Sequence, residues 1–491
     1  MSRTQSSMVR RDLVAPARHA IIDGEAVTGD GPELSIPNPT TEEELAVVRT
    51  VSPAQADAAV EAAHRAFPSW SATPGEKRRE ILHRWGDLIE EHLEVFVADA
   101  VNVLGTPISQ AEAMQIRLGL THLRWNADAA AHDLTEHLDP LLEPFPMGSE
   151  VRYAPVGVAA VIVAYNAPNN MALFKVAPAL AAGCTVVLMP SPRAPLSTLW
   201  LAELALEAGL PAGALNAIVG EAEVGERLTT HPAVRKVSFT GSVGVGSAIM
   251  SQAARDLKNV TLELGGKSPS LVLPGVDVAS VAEQIHLRWS RLAGQACAAP
   301  TRVLVPESML DEFIDVSKGA LGRINVGDPW CESTLVGPLI RPEQAERAEE
   351  FVRGALDEGG RVVARSPLLD LDRGWFAAPT LIAGVDNNSR IAREEIFGPV
   401  AVLLTYRDEE HAVEIANDSV FGLAASVFSP DQERASALAD RLDAGTVWIN
   451  GAGAMRPDAP FGGSKGSGVG REFGIWGLRA YLEPKHVQWR A

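Results

Sequence analysis

The sequence predicts an α/β protein with a doubly wound parallel sheet, a second α/β unit after it, and a few strands that belong to neither. Three observations predict this. Between residues 151 and 263, five short apolar runs alternate with four helical segments, the pattern of right-handed crossovers in a parallel sheet. A second alternating block runs from Ser270 to about Asn450. The chain has 491 residues, of which 46% are hydrophobic, enough for large cores, and its length suggests about three domains.

The elements follow in order. From Ala54 to about His132 the rhythm is helical, clearest in "ILHRWGDLIEEHLEVFV". There Ile81, Leu82, Trp85, Leu88, Ile89, Leu93, Phe96 and Val97 share one stripe. "VGVAAVIVAYN" reads as a buried strand, "NMALFKVAPALAAG" as a helix ending at Gly183, and "CTVVLMP" as the second strand. Helix "LSTLWLAELALEAG", strand "ALNAIVG", helix "EAEVGERLTTH", strand "KVSFTG", helix "SVGVGSAIMSQAARD" and strand "NVTLELGG" complete the first block. The second block includes strands "TRVLVP", "RVVAR", "VAVLLTY", "LAASVFS" and "TVWIN", and helices "QAERAEEFVRGALDEGG" and "DQERASALADRLDAG". The segment around Leu138 to Tyr153 and the final "RAYLEPKHVQW" are strand-like but fit neither block. They pair with each other or with another subunit.

Composition narrows the function. The formal net charge is −19, with 62 Asp and Glu against 43 Lys and Arg, which argues against a nucleic-acid or anionic-membrane surface. No apolar run approaches the roughly 20 residues needed to span a bilayer. Cys184, Cys297 and Cys331 are too few for a disulfide framework, so a reducing, cytoplasmic setting is expected. The opening "MSRTQSSMVRRDL" lacks an apolar signal core and is expected to be a frayed tail.

Four kinds of group then point to chemistry. "GQACAAP" sets Cys297 between Ala296 and Ala298, a position that suits either a small buried side chain or a nucleophile. "LELGGKSP" leaves Glu263 among apolar residues; if desolvated, its pKa rises toward that of a general base. "VAYNAPNN" puts Asn166 at the carboxyl end of a strand, where ligands bind in such sheets and an amide donates to an oxyanion. "FTGSVGVG" reads G-x-x-G-x-G, a strand-to-helix turn in which Ser242 caps a helix whose free N–H groups attract a pyrophosphate. A nucleophile, a base, an amide donor and a phosphate loop form one constellation.

With "EEIFGPV" and "PFGGSKGSGVGRE", these stretches occur in a characteristic order, and the chain resembles the NAD(P)-dependent aldehyde dehydrogenase superfamily over nearly its full length. The resemblance implies a cofactor domain (1–130 and 154–262), a catalytic domain (263–469), and a small β oligomerisation domain (131–153 and 470–491) that builds homodimers or homotetramers. It implies that Cys297 attacks an aldehyde, that Asn166 and the Cys297 N–H hold the oxyanion, and that hydride passes to NAD or NADP. Glu263 would then activate the water that hydrolyses the thioester, with Lys175 and Glu472 relaying its proton. Gly241, Ser242 and Gly246 match the pyrophosphate loop. Glu395 and Phe397 match positions at the nicotinamide ribose and ring, and Tyr165, Gln344 and Arg347 match further cofactor contacts.

The chain departs from the family at "MPSP", where the usual Lys-Pro-Ser-Glu holds the adenine ribose. Met189 and Pro192 replace the charged pair around Ser191, so weak discrimination between NAD and NADP is expected. Pocket positions match Ala167, Met171, Phe174, Ala296, Ala298, Met455 and Phe461, which imply a roomy apolar pocket for a bulky or aromatic aldehyde. No metal is expected. Two rivals are transfer of the acyl group to coenzyme A, which typically dispenses with the general-base Glu, and a non-catalytic relative. The presence of Glu263 favours hydrolysis, and the intact Cys297, Asn166 and Glu263 argue against the second.

Overall fold

A computed structural model describes residues 11–368, 371–451 and 453–490; residues 1–10, most of the expected frayed tail, lie outside them. The five apolar runs of the first block form strands Val158–Val163, Thr185–Pro190, Leu215–Ala217, Val234–Thr240 and Asn259–Glu263. All four contacts among them are parallel, and the third, second, first, fourth and fifth lie side by side in that order. The order therefore reverses between Val158–Val163 and Val234–Thr240. A crevice opens outside the carboxyl ends of strands at such a switch point. Antiparallel strands close both edges: Ala20–Ile22 and Glu25–Val27 on one side, Gly468–Val469 on the other.

The helical rhythm before this sheet is real but interrupted. The stripe from Ile81 to Val97 is carried by two helices, Gly75–Glu91 and Leu93–Leu104, which meet at His92 (φ −106°). The helix Pro168–Ala182 starts with proline in its first turn, is buried throughout, and stops at Gly183 in the left-handed region (φ 94°).

The second block builds a seven-stranded sheet around Arg302–Pro306. All five runs read in the sequence belong to it. Two more strands, Pro269–Val272 and Thr380–Ala383, complete it; each is only four residues long and fully buried, so neither shows alternation. The two unplaced stretches pair with each other. Met147–Pro155 and Leu482–Arg490 are antiparallel over nine residues, with Glu136–Leu141 on the outer edge. Among the described residues no helix is long and apolar enough to cross a membrane.

Candidate active site

The carboxyl end of the first sheet and the amino end of the second face a cavity of about 240 Å³. Asn166 reaches it just after Val158–Val163, Ser242 just after Val234–Thr240, and Glu263 as the last residue of Asn259–Glu263. Cys297 comes from the opposite unit, in the loop before Arg302–Pro306. Tyr165, Met171, Gly241, Gln344, Arg347, Glu395 and Phe397 also line the cavity.

The loop that presents Cys297 is unusual. Leu292 (φ 52°), Ala293 (φ 52°) and Gly294 (φ 75°) are successive left-handed residues. Two of them carry a Cβ, at a cost of about 1–2 kcal/mol each. At Gly294 a Cβ would lie 2.2 Å from the Gly398 carbonyl, so only glycine fits. Phe397, beside that contact, is also left-handed (φ 56°). Backbone strain is thus concentrated where the two loops meet over the nucleophile candidate. Gly266 lets the end of the other sheet approach the same loop, since a Cβ there would sit 2.4 Å from the Cys297 carbonyl oxygen. Gly265 leaves room for Glu395, whose Oε1 accepts the Gly266 N–H at 3.2 Å.

Asn166 is held from two sides. Its Nδ2 donates to the Gln295 carbonyl at 2.8 Å, and its own carbonyl accepts Gln115 Nε2 at 3.0 Å. Among the described residues the second N–H of the amide has no acceptor, and Oδ1 is buried without a partner. Burial, reinforced by the Glu395 and Glu263 charges, pushes the Cys297 thiol up to about 12. Glu263 is 5% exposed, and neither carboxylate oxygen has a protein partner. Burial and the Glu472 charge raise its pKa well above the ordinary carboxylate range, against the opposing pull of Lys175 and Arg471. Lys175 and Glu472 form a buried ion pair behind it.

The cofactor test concerns the other end of the cavity. Ser242 caps the helix Val243–Arg255 by accepting the Val245 N–H (3.4 Å), and a Cβ at Gly244 would meet open space. Gln344 Oε1 is buried at the cavity without a partner. A capped helix terminus with open space before it, joined to a cleft with an unsatisfied amide, fits a dinucleotide whose pyrophosphate lies on the helix and whose reactive end lies inside. Gly246 serves packing, since a Cβ there would press on Leu264 at 2.5 Å.

Several residues singled out in the sequence lie outside this lining. Met189 is 6% exposed, with its sulfur and terminal methyl next to Gly225, and Ser191 accepts the Arg193 N–H at 3.3 Å. Ala167 caps the helix Pro168–Ala182, and Ala296 packs on the core of the second unit. Phe174, Ala298, Met455 and Phe461 do gather beside Cys297, and further rings join them. Phe473 stacks on Phe461 at 5.6 Å and meets Phe174 edge-on at 4.7 Å, while His122 lies 4.2 Å from Phe473. Burial lowers His122 to about 4, so it contributes a neutral ring. His122, Phe473, Gln115 and Gln295 went unassigned in the sequence. Only Gln295, two residues before Cys297, carried a local signal.

The comparisons agree with this geometry. The profile of the Aldehyde dehydrogenase family matches residues 27–487. The geranial dehydrogenase of Castellaniella defragrans is 39% identical over 477 residues, covering 96% of this chain and 98% of that protein. A Staphylococcus aureus betaine aldehyde dehydrogenase crystallised with NAD+ superposes with a TM-score of 0.93 at 35% identity, covering 96% of this chain and 95% of that one. A crystal structure of an Escherichia coli NADP-dependent enzyme superposes with a TM-score of 0.93 at 35% identity, covering 98% and 99%. The chain belongs to the aldehyde dehydrogenase family.

Proposed function

We propose that the protein oxidises a bulky, unsaturated or aromatic aldehyde to its acid by way of a thioester on Cys297. The observation that carries this is the meeting of Cys297, Asn166 and Glu263 in one cavity that continues to a capped helix terminus. The sulfur attacks the aldehyde carbon, and the electron pair of the carbonyl moves to its oxygen. That oxyanion is held by the free N–H of Asn166 Nδ2 and by the Cys297 backbone N–H. The thiol, near 12 at rest, must lose its proton first, and Glu263 is the adjacent acceptor. When bound, NAD or NADP supplies the hydride acceptor and a cationic ring that favours the thiolate. Glu263 passes that proton on toward Glu472, then takes a second from the water that attacks the thioester, and Cys297 leaves as thiolate. Lys175 and Glu472 hold charge behind Glu263 and set its proton affinity. Glu395, Phe397, Gln344 and Arg347 would hold the reactive end of the cofactor, and Ser242 with Gly241 its pyrophosphate.

The substrate class rests on the ring cluster beside Cys297 and on the likeness to a geranial dehydrogenase. Relatives that use NAD+ and NADP, together with "MPSP", support weak discrimination between the two. The three main sheets support a division into cofactor (1–130, 154–262), catalytic (263–469) and oligomerisation (131–153, 470–491) domains, although Gly468–Val469 pairs into the first sheet. A homodimer or homotetramer would cover Leu138, Leu141, Leu142 and Trp489, which the three-stranded sheet and its hairpin leave exposed. Three free cysteines suit the cytoplasm. The test is a panel of paired aliphatic, terpenoid and aromatic aldehydes with each cofactor, followed by reduced-cofactor absorbance. Turnover confined to small hydrophilic aldehydes would reject the substrate class.

A further inference from the structure

One buried titratable side chain has no part in the chemistry above. Lys236 lies in the strand Val234–Thr240, is fully buried, and donates from Nζ to Asn259 Oδ1 (2.8 Å) and Thr261 Oγ1 (2.7 Å) on the neighbouring strand. The parallel register explains the company it keeps. Lys236 pairs with Asn259, Ser238 with Thr261, and Thr240 with Glu263. Alternate side chains of two adjacent strands therefore make a polar ladder on one face of the sheet. The alternate positions, Val237, Phe239, Val260 and Leu262, are apolar. The ladder starts at Asn259, which is exposed, and ends at Glu263 in the cavity.

Other elements close over it. The Lys175 ammonium on the helix Pro168–Ala182, Glu472, Glu483 and the Cys184 thiol all act on Lys236, and the Tyr481 ring lies 5.5 Å from its Nζ. Both Glu263 oxygens are buried without a protein partner, so water is the partner left to them, and the Tyr481 hydroxyl acts on Ser238. Resting on the reading of Glu263 as the base, each turnover delivers a proton into a sealed place. The cleft side holds aldehyde and cofactor, which leaves the ladder as the polar route out.

We propose that the ladder of Ser238, Thr261, Lys236 and Asn259 carries the proton taken up by Glu263 to the protein surface, with Lys236 Nζ as the relay. Water's O–H bond breaks as its oxygen bonds to the thioester carbon, and Glu263 holds the proton. It passes by way of Glu472 and the hydroxyls of Ser238 and Thr261, each taking one proton and giving up its own, with ordered water filling the gaps. The neutral Lys236 amine binds it as ammonium and returns one proton to solvent beside Asn259. No other reactant is consumed. Burial, reinforced by the like charge of Lys175, brings Lys236 down to about 7, with Glu472, Cys184 and Glu483 pulling the other way. Both of its forms are therefore populated at neutral pH. Below that value Lys236 stays charged and cannot accept, so turnover should rise with pH through about 7.

The experiment compares wild type with Lys236→Met and Lys236→Arg, and with Thr261→Val as the smallest change to the ladder. In rapid mixing, both Lys236 variants should keep the burst of reduced cofactor, slow steady-state turnover on the order of tenfold, and lose the rise of kcat near pH 7. Thr261→Val should shift turnover in the same direction. Arginine keeps donors but cannot titrate, so wild-type turnover in Lys236→Arg would show a structural role and overturn the relay. So would a wild-type kcat and pH profile in Lys236→Met. A readout independent of activity is the pH dependence of melting. A native Lys near 7, against about 10.4 when unfolded, makes wild type gain stability relative to Lys236→Met between pH 7 and 10. A constant gap across that range would also overturn the proposal. Absence of a burst in Glu263→Gln would instead count against the thioester reading, so the two failures are distinguishable.

Discussion

Replacing Gly266 by alanine tests whether placement of Cys297 limits the chemistry, and Gly265 next to it supplies the control. Neither glycine is in the left-handed region, so space alone decides the outcome. A Cβ at residue 266 would lie 2.4 Å from the Cys297 carbonyl oxygen, which is backbone and carries the sulfur with it. An ordinary C···O contact is about 3.3 Å, so the loop must retreat by about 0.9 Å. A misplacement of that size costs on the order of 100-fold in rate, about 2.7 kcal/mol. At Gly265 the added Cβ would meet Glu395 Oε2 at 2.3 Å, the far end of a flexible side chain. Glu395 turns aside and gives up the Gly266 N–H, so Gly265→Ala should raise the KM for cofactor and slow the first turnover less than about tenfold. Rapid mixing with excess aldehyde gives the rate and amplitude of reduced-cofactor formation, and circular dichroism confirms that both variants fold. A folded Gly266→Ala enzyme within threefold of wild type, or a Gly265→Ala enzyme slower than Gly266→Ala, would refute the reasoning.

Other expectations follow from the same contacts. Asn166→Ala removes the amide beside Cys297 that the proposal assigns to the oxyanion and should lower kcat about 10²–10³-fold while leaving cofactor binding, read by fluorescence titration, unchanged. Lys175→Met strands the buried Glu472 carboxylate and should destabilise the protein by roughly 3–5 kcal/mol, with most of the loss recovered on adding Glu472→Gln; melting midpoints decide it. Glu263 has a raised native pKa, so the native state keeps a proton that the unfolded state releases, and stability falls as pH rises from the ordinary carboxylate range through the raised value. Glu263→Gln should therefore gain in melting temperature over wild type as pH rises through that window. The kcat/KM values for NAD and NADP should differ by less than about twentyfold, under about 2 kcal/mol, at fixed aldehyde.

What the sequence made legible was whatever a local pattern carries. The run "VGVAAVIVAYN" announced both a buried strand and the residue at its end, and Ser242 announced its helix cap. The strands Pro269–Val272 and Thr380–Ala383 escaped because four buried residues have no period to detect. Phe473 and His122 escaped because what brings them to Phe174 is packing between distant segments, 299 and 52 residues away along the chain. The same limit explains the pocket: Phe174 and Phe461 were among its expected walls, and Phe473, from a distant segment, joins them. Lys236 opens the run "KVSFTG" with no local signal, and the register sets it beside Asn259 and Thr261.

The account's central claim is that Cys297 forms a thioester which Glu263 then clears. Glu263→Gln, mixed rapidly with saturating aldehyde and cofactor, isolates that division of labour, because the amide fills the same space and cannot take a proton from water. The expected result is a burst of reduced cofactor approaching one per active subunit, followed by turnover at least about 100-fold slower than wild type. Steady-state turnover equal to wild type with no burst would contradict the claim and remove Glu263 from the mechanism.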